Sequence, residues 1–208
     1  MPHRLTKTCF LAALLVGVMA RGDELKPVIV PLWDGDPPGF LQDAGPETTF
    51  PQWPGTVGNV SVPTLAVYLP PADRATGLAI VYCSGGSYNK VSRVSDEVGD
   101  AAYFVERGAA LLVLKYRTSP PAPDFSAALC DARRAVRVVR SRAAEWKIDP
   151  QKIGMLGGSA GGHLILTLAT HWDRGQEDAD DVIERQSCRP DFVSLLCPWP
   201  NKQSAADF

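Results

Sequence analysis

Lys152-Ile153-Gly154-Met155-Leu156-Gly157-Gly158-Ser159-Ala160-Gly161-Gly162-His163-Leu164 is the stretch whose reading decides the fold. Its first half is a short apolar run, and from Ala160 to Trp172 apolar residues recur at helical spacing. Ser159 stands at the junction, inside a G-x-S-x-G pattern formed by Gly157, Gly158, Ala160 and Gly161. Glycines at those places permit a sharp strand-to-helix turn, because neighbouring backbone can approach with no Cβ in the way. The helix N-terminus beneath such a serine stabilises negative charge developing on an oxyanion. Ser159 is therefore the candidate catalytic nucleophile.

Outward from this junction the chain alternates strands and helices. Upstream, LAIVYC at 78–83 and AALLVLKY at 109–116 are continuous apolar runs, the pattern of strands buried on both faces. Between them, Ser95 to Arg107 carries Val98, Ala101, Ala102 and Val105 at helical spacing, with Ser95 as N-cap and Gly108 as stop. Leu129, Ala132, Val136, Val139, Ala143 and Trp146 form the apolar stripe of a second helix, and Arg133, Arg134, Arg137 and Arg140 form a face expected to be solvated. DFVSLLC at 191–197 reads as a further strand, normally buried between neighbours, and Val60 to Leu69, with Pro63, as an outer one. Residues 27–60, with PLWDGDPPG and FPQWPGTVGN, read as an irregular segment. The fold class expected is α/β, a mostly parallel sheet with helices on both faces.

Ser84-Gly85-Gly86-Ser87-Tyr88 follows the LAIVYC strand, some seventy residues upstream of the serine. An acyl-transfer enzyme of this architecture places there a loop that offers backbone N–H donors, and Gly85 and Gly86 let those donors face a substrate oxygen unobstructed.

Taken together, these segments resemble the α/β-hydrolase superfamily, and within it the secreted carbohydrate-esterase and acetyl-esterase-like group, which includes acetylxylan esterases. The run Ile148 to Leu164 carries most of the likeness. Lys115-Tyr116-Arg117, Asp131-Ala132-Arg133-Arg134-Ala135 and Arg189-Pro190-Asp191-Phe192 extend it over about residues 28–200. The resemblance implies hydrolysis of an ester through an acyl-serine intermediate. Ser159 would attack the carbonyl, and an oxyanion hole would be formed by the N–H groups of Ala160 and Gly86, with Gly85. The loop departs from the superfamily's frequent His-Gly-Gly-Gly in having Ser84 and Ser87.

A serine hydrolase also needs a histidine base and a carboxylate, which in this superfamily follow the serine on later loops. The histidines here are His3, His163 and His171. His163, four residues after Ser159 on the same helix, is expected to pack beside the elbow below the mouth, and His171 lies two turns further on. Asp131 and Asp191 lie on neighbouring elements, and Glu177 to Asp181 reads as a solvated loop. Residues 21–208 are therefore expected to form the N-terminal part of a hydrolase domain, without its last strands and without the Asp and His of the triad. Expressed alone, they are expected to aggregate along an open sheet edge. The alternatives are a non-catalytic remnant or binding protein, and a serine peptidase of the same fold.

His3, Arg4 and Lys7 precede an apolar stretch from Cys9 to Ala20 that is too short to span a bilayer, so residues 1–20 read as a secretory signal peptide. The mature chain is expected to be secreted or periplasmic, with no membrane span. Cys83, Cys130, Cys188 and Cys197 match no zinc spacing and read as core thiols, Cys83 and Cys197 ending apolar strands. Over 208 residues, 45% hydrophobic and 21% charged with a net charge of -2, the composition excludes a disordered tail and lacks the basic excess of a nucleic-acid binder. No metal or organic cofactor is called for. The expected ligand is a small ester or acetylated carbohydrate, and Trp33, Trp53, Tyr88 and Trp199 are the aromatics available to stack on sugar rings.

Overall fold

The apolar runs become the middle of a six-stranded sheet. The computed structural model describes residues 25–39, 45–92, 101–118 and 125–199. In chain order the strands of this sheet are β1 (Val28–Pro31), β4 (Thr64–Tyr68), β5 (Ala79–Cys83), β7 (Ala110–Lys115), β8 (Ile153–Gly158) and β9 (Phe192–Pro198). A second, three-stranded sheet joins β2 (Thr48–Thr49), β3 (Thr56–Gly58) and β6 (Lys90–Ser92). The helices are α1 (Ala101–Glu106), α2 (Phe125–Ser141) and α3 (Ser159–Thr170).

The large sheet runs in the order β1-β4-β7-β5-β8-β9. Strands β7, β5, β8 and β9 are mutually parallel, and β4 and β1 continue the sheet antiparallel. Alternation along each strand sends side chains to two cores. Leu65, Val67, Val81, Cys83, Leu112, Leu114 and Met155 face α2 and α3, whereas Ala66, Tyr68, Tyr82, Leu111 and Val113 face α1. The α/β arrangement with helices on both faces is thus the observed one.

Four readings change. Residues 27–60 are not wholly irregular, since β1, β2 and β3 lie there, short strands whose turn-rich surroundings mask their pattern. The strand at 60–69 is not outermost, because β1 pairs along it. The arginine face of α2 is not solvated: Arg134 is 1% exposed and Arg137 7%. The segment after α3 folds over them, and Asp181 and Glu184 bind Arg134 at 2.6 and 2.7 Å, while Asp173 and Glu184 bind Arg137 at 2.5 and 3.0 Å. Asp173, Asp181 and Glu184 are the counter-charges that let two cations be buried. Finally, Cys197 is not a core thiol: β9 pairs with β8 along one side only among the described residues, the open edge expected, and leaves Phe192, Val193, Leu196 and Cys197 exposed. Cys83 and Cys188 are buried, as core thiols would be, and Cys130 is only half-buried.

The segment Ser95–Asp100 and the leader at 1–20 lie outside the described residues. No helix among the described residues is long and apolar enough to cross a membrane. None of their His, Cys, Asp and Glu side chains form a group that could hold a metal ion.

Candidate active site

Ser159 is the residue where β8 gives way to α3, and its φ of 51° lies in the left-handed region. A non-glycine residue held there costs about 1–3 kcal/mol and persists only where its surroundings fix it. The fixing is visible. Gly158 pairs with Leu196 in register, Ser159 bridges to Pro198, and the backbone N–H of Trp199 donates to the Ser159 carbonyl at 3.0 Å. Gly161 comes so close to β5 that a Cβ on it would lie 2.1 Å from the Cys83 carbonyl oxygen. A Cβ on Gly157 would lie 2.5 Å from the same atom. The glycines of the motif therefore let the first turn of α3 sit directly on the end of β5.

That contact brings the Ser84–Tyr88 loop to the serine. A Cβ on Gly85 would stand 3.1 Å from the Ser159 Cβ and 3.8 Å from Oγ. Gly86, with φ of 141°, packs against the Lys90 carbonyl, which a Cβ would meet at 2.0 Å. The loop is tied at its base, where Ser84 Oγ accepts from the Ser92 N–H at 2.8 Å and Tyr116 O–H donates to the Ser84 carbonyl at 2.8 Å. Ala160, fully buried, is the first residue past the serine on α3. Ser159, Gly85, Gly86 and Ala160 are thus neighbours.

Gly85, Gly86, Gly158 and Ser159 line a cleft of about 700 Å³. The small sheet and the turn before β3 also line it, through Gln52, Trp53, Pro54, Thr56 and Lys90. Lys90 Nζ lies 3.3 Å from the Trp53 ring centroid, a cation over an aromatic face. Trp53 is half-exposed to the cleft, whereas Tyr88 is buried and Trp33 packs under Arg134 at 4.6 Å. Trp199 is exposed beyond β9 and does not line the cleft. The wall was not legible in sequence, because the strands that build it are two or three residues long.

No His, Asp or Glu lines the cleft among the described residues. His163 is 3% exposed and lies below the elbow with Nδ1 2.6 Å from the Tyr88 hydroxyl. Burial holds its imidazole below the usual value, so the ring is neutral. Its Nε2 is buried without a hydrogen-bond partner among the described residues. His171 caps the far end of α3, about 18 Å along the helix from the serine. Asp131 is fully buried and accepts from Arg117 N, Nε and Nη2 at 2.8–3.1 Å. Arg117 Nη1 in turn donates to the Pro38 carbonyl at 2.6 Å, so this pair ties the N-terminal segment to α2 and stands apart from the cleft. Cys83 lies beneath the elbow, its thiol pushed up by burial and so kept protonated.

An acetylxylan esterase of Xylanibacter ruminicola is 32% identical over 134 residues, 64% of this chain and 25% of the relative's length. The acetyl ester-xyloside bifunctional hydrolase of Caldicellulosiruptor lactoaceticus superposes with a TM-score of 0.64 at 33% identity, covering 85% of this chain and 59% of that one. A butyrate-bound esterase of Thermogutta terrifontis gives 0.54 at 32% identity, covering 67% of this chain and 50% of that one. The chain spans less than two thirds of the length of each of these relatives. A match to the BD-FAE family runs over residues 65–192, from β4 into β9 and through both the Gly85–Gly86 loop and the Ser159 elbow. On that match the chain belongs to the BD-FAE family, in the acetylxylan-esterase-like group of the α/β-hydrolases.

Proposed function

We propose that the protein is a carboxylic-ester hydrolase whose nucleophile is Ser159, acting on acetyl esters of carbohydrates. Ser159 Oγ attacks the ester carbonyl, and the tetrahedral oxyanion is held by the N–H groups of Ala160 and Gly86, with Gly85. The alcohol leaves, and water then releases acetate from the acyl-serine. The general base and its carboxylate come from outside the described residues, since neither His163 nor His171 reaches the cleft. The observation that carries this reading is the left-handed Ser159 on the cleft floor, pressed against the Gly85 backbone. Strain of this kind clusters at functional sites, and here it falls on a serine that lines the cleft.

The size of the cleft supports a substrate larger than its acyl group. At about 700 Å³ it is far roomier than an acetyl group needs, and the Trp53–Lys90 wall offers an aromatic face and a cationic donor for a glycosyl leaving group. Export of the mature protein is part of the same proposal and rests on the leader at 1–20.

The test compares a short acetyl ester with an aminoacyl amide, using the full-length protein. Ester hydrolysis, falling at least about a thousandfold in Ser159→Ala, is expected. Preference for the amide would make the protein a peptidase, and turnover indifferent to Ser159→Ala would remove the serine from the mechanism.

A further inference from the structure

The loop that faces Ser159 has a conformation its own residues do not favour. After Gly86, Ser87 and Tyr88 have φ of 54° and 60°, and the Asn89 N–H closes back on the Gly86 carbonyl at 3.0 Å. Two successive positive φ values inside such a closed turn are the type I′ pattern, which draws Gly, Asn and Asp. A serine and a tyrosine hold these places only if something outside the turn fixes them.

Tyr88 is where the fixing occurs. Its side chain is 3% exposed and leaves the turn to pack against the rings of Tyr116 and Phe125 at 6.2 and 6.1 Å. Its hydroxyl meets His163 Nδ1 at 2.6 Å, and the His163 ring stands edge-on to both Tyr88 and Phe125. Burial raises the phenol and lowers the imidazole, so both are neutral and the hydroxyl and Nδ1 share one hydrogen bond between uncharged groups. His163 lies one helical turn from Ser159 on α3, so this bond joins the loop that bears Gly85 and Gly86 to the helix that bears the nucleophile. A histidine with Nε2 buried and unpartnered among the described residues is a poor choice for packing alone, because a leucine would fill the space without an orphaned nitrogen.

We infer that Tyr88 and His163 are positioning residues: their hydrogen bond sets the separation between the Gly85–Gly86 N–H groups and Ser159 Oγ. The inference rests on the esterase reading for its kinetic consequence and on the turn geometry for its structural one. Neither residue touches substrate. An oxyanion stabiliser displaced by a fraction of an ångström loses much of its effect, so the bond acts on the chemical step rather than on substrate binding.

The experiment uses the full-length protein with Tyr88→Phe, His163→Leu and His163→Asn. Tyr88→Phe keeps the ring packing and deletes the hydroxyl that meets His163. It is expected to lower kcat on a short acetyl ester by about tenfold to a hundredfold with KM within about threefold. His163→Leu is expected to match it, and the two together to be no worse than either alone, since they remove one bond. His163→Asn, whose amide can accept from the phenol or donate to it, is expected to recover most of the loss. Amide hydrogen exchange of residues 85–89 is the readout independent of turnover, and it is expected to speed up in Tyr88→Phe and His163→Leu but not in His163→Asn. Unchanged kcat, or a loss that His163→Asn shares in full, would overturn the inference. If the wild type hydrolyses no ester, the esterase reading fails, and exchange decides alone: faster exchange upholds the clamp, and unchanged exchange overturns it.

Discussion

Gly85 and Ser159 are packed so closely that a methyl group on the glycine would stand 3.1 Å from the serine Cβ and 3.2 Å from the Gly158 carbonyl. The backbone of the Ser84–Tyr88 loop is thereby in van der Waals contact with the elbow. Gly85→Ala forces either the loop or the elbow to shift by a few tenths of an ångström. The expected result is a fall in kcat of about tenfold to a hundredfold on a short acetyl ester, with global stability lowered by about 1–3 kcal/mol. Steady-state kinetics beside urea denaturation checks both, and wild-type kcat in a folded Gly85→Ala protein would separate this loop from the chemistry.

Trp53 is expected to act on the leaving group. Its indole lines the same cleft as Ser159, under the Lys90 ammonium at 3.3 Å. Trp53→Ala should raise KM for an acetylated xyloside by about fivefold to tenfold, the worth of one stacking contact. An acetyl ester of a small alcohol, which does not reach the wall, should show a much smaller change. Equal effects on both substrates would mean that Trp53 supports the small sheet instead.

Asp131 and Arg117 carry structure rather than catalysis. Three of the Arg117 nitrogens converge on this fully buried carboxylate. Asp131→Asn leaves the guanidinium, itself 5% exposed, without its counter-charge. The expected loss of stability is about 3–5 kcal/mol, read from the denaturant midpoint. Activity per folded molecule should persist.

Acid should destabilise the fold in two separate windows. Burial keeps the His163 ring below its usual 6.5, so on acidification the unfolded chain takes up that proton before the folded one does. The contribution of neutral His163 is complete above pH 6.5 and is lost as pH falls from there toward the lower folded value. Burial raises the Asp173 and Asp181 carboxyls, but hydrogen bonds from Gly175, Ile183, Arg137 and Arg134 outweigh it and hold both below 3.8. Their contribution is present above pH 3.8 and is lost only on further acidification. Denaturant midpoints at pH 7 and 5 should therefore differ in the wild type and differ less in His163→Asn. An equal decline in both proteins would assign the upper window to another group.

Much of the large sheet is legible in sequence because its central strands are buried on both faces and so read as unbroken apolar runs, LAIVYC and AALLVLKY among them. The elbow is legible because its glycines are demanded by contact with the Cys83 carbonyl, a constraint that leaves a pattern in the chain. What escaped has physical reasons. Strands β2, β3 and β6 are two or three residues long, too short for any period, and they build the cleft wall. Arg134 and Arg137 look solvated on a helical wheel because their counter-charges lie about fifty and thirty-six residues away. The Tyr88–His163 bond joins residues seventy-five positions apart, and only the left-handed Tyr88 turn brings them together.

The most direct measurement is covalent labelling of the full-length protein with a dialkyl aryl phosphate, followed by intact-mass and peptide mass spectrometry. Such reagents phosphorylate an activated serine at the site where an ester is attacked. A single adduct on Ser159, absent from Ser159→Ala, is the result predicted. A folded protein that remains unmodified at Ser159, or that hydrolyses acetyl esters while labelled elsewhere, would contradict the assignment of the nucleophile.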